Sequence, residues 1–173
     1  VEKLLILARL ESNRVKVVYE WVNVAAFMEK GMAESQRLYP NYHFKLDLKY
    51  QDDIYIDLEI MTQIFRALVE NAVKYSNEET TITFHSAPKN QYIEMALSDE
   101  GRGIAQESIP NLTNRFYRLH EDRNRQTGGT GLGLSIVDAL IKAHGGYMRI
   151  DSEIEKGTRV SVYVPKNSNL RNL

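Results

Sequence analysis

The sequence contains no cysteine among its 173 residues. This absence excludes a disulfide framework and a thiolate site, and it is compatible with a reducing cytoplasm. No apolar run approaches the roughly 20 residues that a helix needs to cross a bilayer. The N-terminal stretch lacks the cleavage site and the long apolar region of a signal peptide. The net charge is only −1, so the overall balance favours neither nucleic acid nor a membrane surface as a partner.

The apolar fraction of 43% is sufficient for a hydrophobic core, and the length fits one domain or one domain with an appendage. The chain begins with Val1 rather than methionine, and we expect it to be a fragment of a longer protein. Residues 1–12 show the pattern of the end of an amphipathic helix. We expect one domain over residues 13–165 and a polar, frayed tail over residues 166–173.

Apolar spacing and capping residues predict the secondary structure. Asn23 is the expected N-cap of a helix that ends near Leu38, and Asp57 that of a helix over residues 58–75. A third helix follows a glycine-rich stretch and ends at His144-Gly145. The predicted strands cover residues 15–19, 42–48, 54–56, 80–86, 92–98, 147–152 and 158–164, with a turn at residues 88–90.

The glycine-rich stretch, residues 126–137, reads QTGGTGLGLSIV and leads into the third predicted helix. Glycine lets a backbone approach a ligand closely, and a helix N-terminus attracts phosphate. The stretch lacks the lysine of a P-loop, and Leu134 stands where a Rossmann fingerprint needs its last glycine. A flexible loop before an ordinary helix remains the alternative.

Three other stretches each have a plain explanation when taken alone. Asn71 flanks the apolar stripe of its helix, where a polar residue is common. Asp99 ends a strand and begins DEGRGI, which a simple turn would also explain. Residues 115–118, RFYR, belong to a basic stretch that a solvated loop would also explain.

Taken together and in this order, these stretches resemble the N, G1, F and G2 boxes of sensor histidine kinases of bacterial two-component systems. The N box is NAVKYS (71–76), the G1 box DEGRGI (99–104), the F box RFYR (115–118) and the G2 box GTGLGL (129–134). Gly157-Thr158 matches the motif that follows on the last hairpin. The resemblance covers about residues 13–165, and residues 1–12 resemble the end of the dimerisation and phosphoacceptor domain.

The resemblance implies the Bergerat-type (GHKL) fold. This is an α+β, two-layer α/β sandwich, in which a mixed, mostly antiparallel sheet carries three helices on one face. It also implies a site for ATP and Mg²⁺. The residues it assigns to the nucleotide are Asn71, Lys74, Tyr75, Asp99, Gly101, Gly103, Ile104, Phe116, Arg118, Gly129, Thr130, Gly131, Leu132, Gly133, Leu134 and Thr158.

Several roles can be assigned within this resemblance. Asp99 would accept a hydrogen bond from the adenine amino group, and Thr158 would complete the polar contacts of the base through water. Asn71 would give its side-chain oxygen to Mg²⁺. Lys74 and Arg118 are the candidate catalytic cations that face the phosphates. Glu70 is a further candidate, as a base or as a metal ligand.

The sequence departs from the family pattern at Ala67, where the family often has a second asparagine and gyrase-type ATPases have their water-activating glutamate. Alanine cannot activate water, which argues against rapid free hydrolysis. His120-Glu121 imitates a phosphoacceptor pair, but we interpret it as a chance match within the predicted lid. We expect residues 119–128 of that lid to be mobile without nucleotide.

The predicted function is therefore that of an ATP-binding histidine kinase domain, cytoplasmic and part of an inner-membrane bacterial receptor. Its expected partners are the dimerisation and phosphoacceptor domain and a response regulator, within a full-length homodimer. We expect the fragment itself to be monomeric and not to bind nucleic acid. The alternatives are a degenerate regulatory module, a gyrase- or chaperone-type ATPase, and a protein-serine kinase of the anti-sigma-factor branch.

Overall fold

The computed structural model describes residues 16–118 and 131–166. Its helices are α1 (Val24–Leu38), α2 (Leu58–Tyr75) and α3 (Gly133–Ala143), and a 3₁₀ helix covers Gln106–Asn111. Its strands are β1 (Glu20–Asn23), β2 (His43–Leu48), β3 (Asp53–Ile56), β4 (Thr81–Lys89), β5 (Tyr92–Asp99), β6 (Tyr147–Glu153) and β7 (Gly157–Pro165). None of the helices in these ranges combines the length and apolarity that spanning a membrane requires.

Five strands form one sheet in the order β2-β4-β5-β7-β6. Strand β2 pairs with β4 in parallel, and every other pair in this sheet is antiparallel. Strands β1 and β3 form a separate antiparallel pair. The predicted α+β architecture, with a mixed and mostly antiparallel sheet packed against helices, is confirmed.

Both predicted N-caps are present. The Asn23 side chain accepts from the backbone N–H of Ala26 at 3.0 Å, and Asp57 Oδ1 accepts from Ile60 at 2.9 Å. Each bond satisfies a donor that the first turn of a helix leaves unpaired. These caps are local in sequence, so residue type and spacing were enough to locate them.

The core lies between the helices and one face of the five-stranded sheet. Its ring contacts include Phe65 of α2 stacked on Phe84 of β4, with centroids 5.9 Å apart. The buried apolar side chains come from all three helices and from alternate positions of the central strands, as a half-covered sheet requires. Prominent members are Val24, Met28, Met61, Ile64, Leu68, Ile82, Ile93, Met95, Leu97, Ile136, Leu140, Ile141, Val162 and Val164.

Two predicted boundaries are wrong. Residues 16–19 form no strand, and β1 begins only at Glu20, because its pairing partner β3 ends at Ile56 opposite that residue. Pro88 and Lys89 belong to β4, so the turn is Asn90–Gln91 rather than residues 88–90. Pro88 is tolerated because β2 pairs with β4 only as far as Ser86, which leaves that side of the strand without a partner.

Helices α2 and α3 pack against each other and meet near the candidate site. Gly133, the first residue of α3, lies beside Asn71, which is one turn from the end of α2. At the other end of the pair, the backbone N–H of Asp57 donates to His144 Nε2. The two helices are therefore antiparallel neighbours, and the N-terminus of α3 opens towards the N-box face of α2. The predicted helix at residues 1–12 and most of the predicted tail lie outside the described residues.

Candidate functional site

A cleft of about 370 Å³ lies between α2, the loop after β5, the start of α3 and the last hairpin. Its size is within the range of small-molecule and cofactor sites. It brings together twelve of the residues predicted from the sequence, which come from five separate stretches of chain. These are Glu70, Asn71, Lys74, Tyr75, Asp99, Gly103, Ile104, Arg118, Gly131, Gly133, Leu134 and Thr158.

Asp99 ends β5 and is held by backbone donors. Its Oδ1 accepts from the N–H of Gly101 at 2.8 Å and from that of Thr158 at 3.2 Å. Burial raises the pKa of the Asp99 carboxyl, and these two N–H groups only partly oppose the increase. The Ser76 hydroxyl lies near the carboxyl and lowers the pKa of Asp99. Because Ser76 Oγ has no hydrogen-bond partner of suitable geometry, its dipole rather than a hydrogen bond accounts for this effect. With Oδ1 occupied, Oδ2 remains the oxygen that can receive a ligand donor.

The loop after Asp99 needs glycine at two positions. A Cβ at Gly101 would lie 2.5 Å from the Tyr75 carbonyl oxygen and 2.7 Å from Asp99 Oδ1. Gly103 has φ +69°, and a Cβ there would collide with the Glu153 backbone. Both glycines thus allow the loop to lie against α2 and the β6–β7 hairpin while Ile104 lines the cleft.

Asn71 faces the start of α3. A Cβ on Gly133 would come within 3.2 Å of Asn71 Oδ1, so the carboxamide lies directly beside the first turn of that helix. The N-terminus of α3 has no side-chain cap, since Leu132 precedes it. Unpaired N–H groups and the positive end of the helix dipole favour an anion at this place.

A cation–π cluster occupies one wall of the cleft. Lys74 Nζ lies 4.8 Å from the centre of the Tyr75 ring, and the Arg102 guanidinium lies 5.1 Å from it. The Arg102 backbone N–H also donates to the Tyr75 carbonyl at 3.3 Å. These contacts place two cations at the cleft that Asp99 also lines.

The two ends of the stretch between residues 118 and 131 lie close together. The Phe116 N–H donates to the Gly131 carbonyl at 3.1 Å, and a Cβ on Gly131 would crowd the backbone of Phe116 and Tyr117. Arg118 and Gly131 both line the cleft. The predicted mobile lid at residues 119–128, together with His120-Glu121, lies outside the described residues.

Comparison with known proteins places this cleft within a family. Residues 56–168 match the family described as histidine kinase-, DNA gyrase B-, and HSP90-like ATPase. The chain belongs to this family. The matched range holds Asn71, the loop after β5, the start of α3 and Thr158, so it contains the whole described cleft except Tyr39. Binding of ATP is the general property of this family.

The relatives it resembles are histidine kinases. The signal transduction histidine-protein kinase ArlS of Staphylococcus haemolyticus is 30% identical over 163 residues, which is 94% of this chain and 36% of that protein. ArlS of Staphylococcus aureus strain USA300 is 32% identical over 163 residues, with the same coverage. The chain therefore spans little more than a third of the length of these relatives.

Two solved structures show the same fold. The Acinetobacter baumannii histidine kinase AdeS superposes with a TM-score of 0.77 at 25% identity, covering 96% of this chain and 77% of that one. The nucleotide-free catalytic domain of histidine kinase ThkA superposes with a TM-score of 0.74 at 22% identity, covering 88% and 99% respectively.

Some residues assigned from the family resemblance do not line the cleft. The Phe116 side chain is 64% exposed, and the residue has a positive φ of 62°. The Leu132 side chain is buried in the core, which leaves only its backbone available to a ligand. Gly101 acts through Asp99 rather than at the cleft surface. Gly129 and Thr130 lie outside the described residues.

Other residues line the cleft without having been assigned a role by the family motifs. Arg102 occupies the variable position of the G1 box, and Tyr117 lies between two arginines of the F box. Tyr39 arrives from the C-cap of α1. The basic and aromatic composition of residues 115–118 indicated that Tyr117 could lie at a binding site. No local pattern indicated this for Tyr39, because its position depends on the packing of α1 against α2.

The described part of the cleft offers few oxygen ligands for Mg²⁺. Among residues 16–118 and 131–166, no three acidic or histidine side chains form a metal-binding group. Asn71 and the exposed Glu70 supply oxygen atoms on adjacent positions of α2. Mg²⁺ keeps several waters and binds through one or two protein oxygens plus substrate phosphates, so this sparse set fits a nucleotide-bound ion.

Proposed function

We propose that this domain binds Mg·ATP in the cleft and transfers the γ-phosphoryl group to a histidine of a dimerisation and phosphoacceptor domain outside the chain. Relay from that histidine to an aspartate of a response regulator would follow. The observation that carries the proposal is that Asp99 and the start of α3 line one and the same cleft. The first suits a base and the second suits phosphates.

At the base end, Asp99 Oδ2 accepts from the exocyclic amino group of adenine. Its half-buried setting strengthens that contact because water competes less well there than in open solvent. Ile104 and Leu112 provide apolar surface for the purine, and Thr158 adds a hydroxyl beside Asp99. The backbone N–H groups that hold Asp99 Oδ1 orient the carboxylate before the ligand arrives.

At the phosphate end, the N–H groups at the start of α3 receive the β- and γ-phosphates. The glycines and leucines of the G2 box bring this backbone to the cleft without side chains in the way. Lys74 lines the same cleft from α2 and supplies a positive charge. When Mg²⁺ is bound it neutralises phosphate charge, and Asn71, with Glu70 as the alternative, is the residue that would hold it.

We assign Arg118 to the stabilisation of the negative charge that develops in the transition state. It lines the cleft together with Gly131 of the G2 box. In the transfer, an imidazole nitrogen bonds to Pγ as the bond from Pγ to the ADP oxygen breaks, and the imidazole N–H proton leaves to a base or water. Negative charge on the departing oxygens makes a nearby guanidinium favourable.

Transfer to histidine is favoured over hydrolysis of ATP. Position 67, one turn before Asn71, is alanine, so no carboxylate is available there to activate water. Glu70 lines the cleft and is the one nearby carboxylate we consider as a base. We place the domain on the cytoplasmic side of a bacterial inner membrane, as part of a homodimeric receptor.

The test uses labelled ATP with this chain alone and with a separate dimerisation fragment that carries the phosphoacceptor histidine. We expect no stoichiometric label on this chain, and slow transfer to the fragment. The label should be acid-labile and base-stable, as a phosphoramidate is. Acid-stable label on the fragment would indicate a serine kinase, and rapid phosphate release without transfer would indicate an ATPase.

A further inference from the structure

Ser152, on β6, lies behind the base end of the cleft and bonds to three groups at once. Its Oγ accepts from the Ile104 backbone N–H at 2.9 Å and donates to the Gly157 carbonyl at 2.9 Å. It also lies 2.8 Å from Thr158 Oγ1. Ser152 itself does not line the cleft, whereas Ile104 and Thr158 both do.

The hydrogen-bonding capacity of a hydroxyl decides how these contacts are arranged. Ser152 has one hydrogen to donate and two lone pairs to accept with. The Ile104 N–H can only donate, and the Gly157 carbonyl can only accept. The arrangement that satisfies all three contacts gives the Ser152 hydrogen to Gly157, so the Thr158 hydroxyl must donate to Ser152.

This arrangement fixes the Thr158 hydroxyl as a hydrogen-bond acceptor towards the cleft. With its hydrogen committed to Ser152, the Thr158 hydroxyl presents only lone pairs to the cleft. Asp99 Oδ1 is already occupied by the N–H groups of Gly101 and Thr158, so Oδ2 is also an acceptor. Both polar groups at the base end therefore require donors from the ligand.

We infer that Ser152 is a positioning residue that sets base specificity by holding the Thr158 hydroxyl as an acceptor. The inference rests on the proposed nucleotide function and extends it. A purine with a 6-amino group offers two hydrogens to this pair of acceptors. A purine with a 6-keto group places an acceptor oxygen where the amino group would lie and has its nearest hydrogen on N1 instead, and the Thr158 hydroxyl cannot turn to donate to that oxygen while Ser152 holds its hydrogen.

Ser152 also anchors the base wall mechanically. It ties Ile104 to the β6–β7 hairpin, and Gln106 Nε2 donates to the Ser152 carbonyl at 2.5 Å. A purely structural role would therefore weaken every nucleotide alike when the hydroxyl is removed. If Ser152 instead holds the Thr158 hydroxyl as an acceptor, its removal would change the ratio of affinities for 6-amino and 6-keto purines. That ratio therefore distinguishes the two roles.

The experiment measures ADP and inosine diphosphate binding by calorimetry for the wild type, Ser152→Ala and Ser152→Thr. In Ser152→Ala the freed Thr158 hydroxyl can donate, so the preference for ADP over inosine diphosphate should fall by about three- to ten-fold, the worth of one hydrogen bond. Ser152→Thr keeps the hydroxyl and should keep the preference. Ser35→Ala removes a comparable hydroxyl contact to a backbone carbonyl on α1 and serves as the control.

Thr158→Val provides a second variant if Ser152→Ala does not fold, and it should lose the preference to a similar extent. Wild-type protein that binds neither diphosphate would defeat the proposed nucleotide function itself. If the wild type prefers ADP and the folded Ser152 or Thr158 variants keep the same preference, the role of Ser152 alone is wrong. We expect the preference to fall in both variants and to survive in Ser152→Thr and Ser35→Ala.

Discussion

The backbone N–H of Asp57 donates to Nε2 of His144 over 2.9 Å, although the two residues are 87 positions apart. This bond ties the first residue before α2 to the C-cap of α3. Because Nε2 accepts, the ring proton resides on Nδ1. Asp57 also holds the segment before β1, since its Oδ2 accepts from the Val18 N–H at 2.7 Å, and Tyr19 OH donates to the His144 carbonyl. The two helices that form the cleft are thus joined at the end away from it.

We expect His144→Ala to destabilise the domain strongly. The substitution leaves a buried N–H of Asp57 without its acceptor, at a cost of about 1–3 kcal/mol, and it opens a cavity where a fully buried ring lies. Urea unfolding measures the effect. His43→Ala is the matched control, because the His43 side chain is 61% exposed, and it should change the unfolding free energy little. Equal effects in the two variants would contradict the structural role of His144.

Asp99→Asn should make the nucleotide-free protein more stable at neutral pH. Burial raises the pKa of Asp99, so the ionised carboxylate is a cost to the folded state, and this cost grows as pH rises through the folded-state pKa. Asparagine can still accept from Gly101 and Thr158 but carries no charge. Thermal unfolding as a function of pH should show a gain at pH 7 that shrinks towards acid. A loss of stability at pH 7 would contradict the expectation that the ionised Asp99 carboxylate destabilises the nucleotide-free protein.

Glu94 should respond to pH in the opposite sense. Burial alone would raise its pKa, but the Ser161 hydroxyl at 2.8 Å and the Arg159 guanidinium at 3.2 Å outweigh burial and lower it. The stability from this cluster is therefore present above the ordinary glutamate pKa and is lost as pH falls through the folded-state value. Ser161→Ala should cost about 1.5–3 kcal/mol at pH 7, the worth of a bond to a charged group.

Chemical unfolding at neutral and acid pH tests this prediction, and the difference between wild type and Ser161→Ala should shrink on acidification. Lys142→Ala is the control, because the Lys142–Asp138 pair, at 2.6 Å, lies on α3 with its lysine largely exposed. A difference that stays constant with pH would mean that packing, rather than the Glu94 charge, carries the effect.

Much of this fold could be predicted from local sequence patterns. The wrong predictions concern features that depend on contacts between residues distant in the chain. The caps at Asn23 and Asp57 depend on side chains within one turn, so spacing revealed them. The start of β1 depends on where β3 offers partners, and the parallel pairing of β2 with β4 joins strands that are far apart in the chain. Such pairings leave no mark on either strand alone.

The same distinction applies to the site. Motif order located Asp99, Asn71 and the start of α3, because each lies in a stretch with its own composition. Arg102 occupies the cleft only because its loop folds onto Tyr75, and Ser152 matters only through the register of β6 with β7, in which it faces Thr158. Neither arrangement follows from residue type at a single position.

Asn71→Ala should weaken the magnesium-dependent part of ATP binding and leave adenosine binding nearly unchanged. The carboxamide lies beside Gly133 at the start of α3, where we place the phosphates, whereas we assign the base to Asp99. Titrations of ATP and adenosine with and without Mg²⁺ separate the two contributions. Asn41→Ala, an exposed asparagine bonded to Glu78, is the control. If Asn71→Ala is silent and Glu70→Gln abolishes the metal dependence, Glu70 is the ligand instead.

The most direct test of the site is a calorimetric titration of ADP into the wild-type protein and into Asp99→Asn. Asparagine places an amide group where the adenine amino group needs an acceptor, so ADP binding should weaken by about 2–4 kcal/mol. The variant must remain folded, which its thermal unfolding shows in parallel. Measurable ADP binding by the wild type with this loss in the variant is the result we predict. Equal ADP affinity for the two folded proteins would remove Asp99 from the base site.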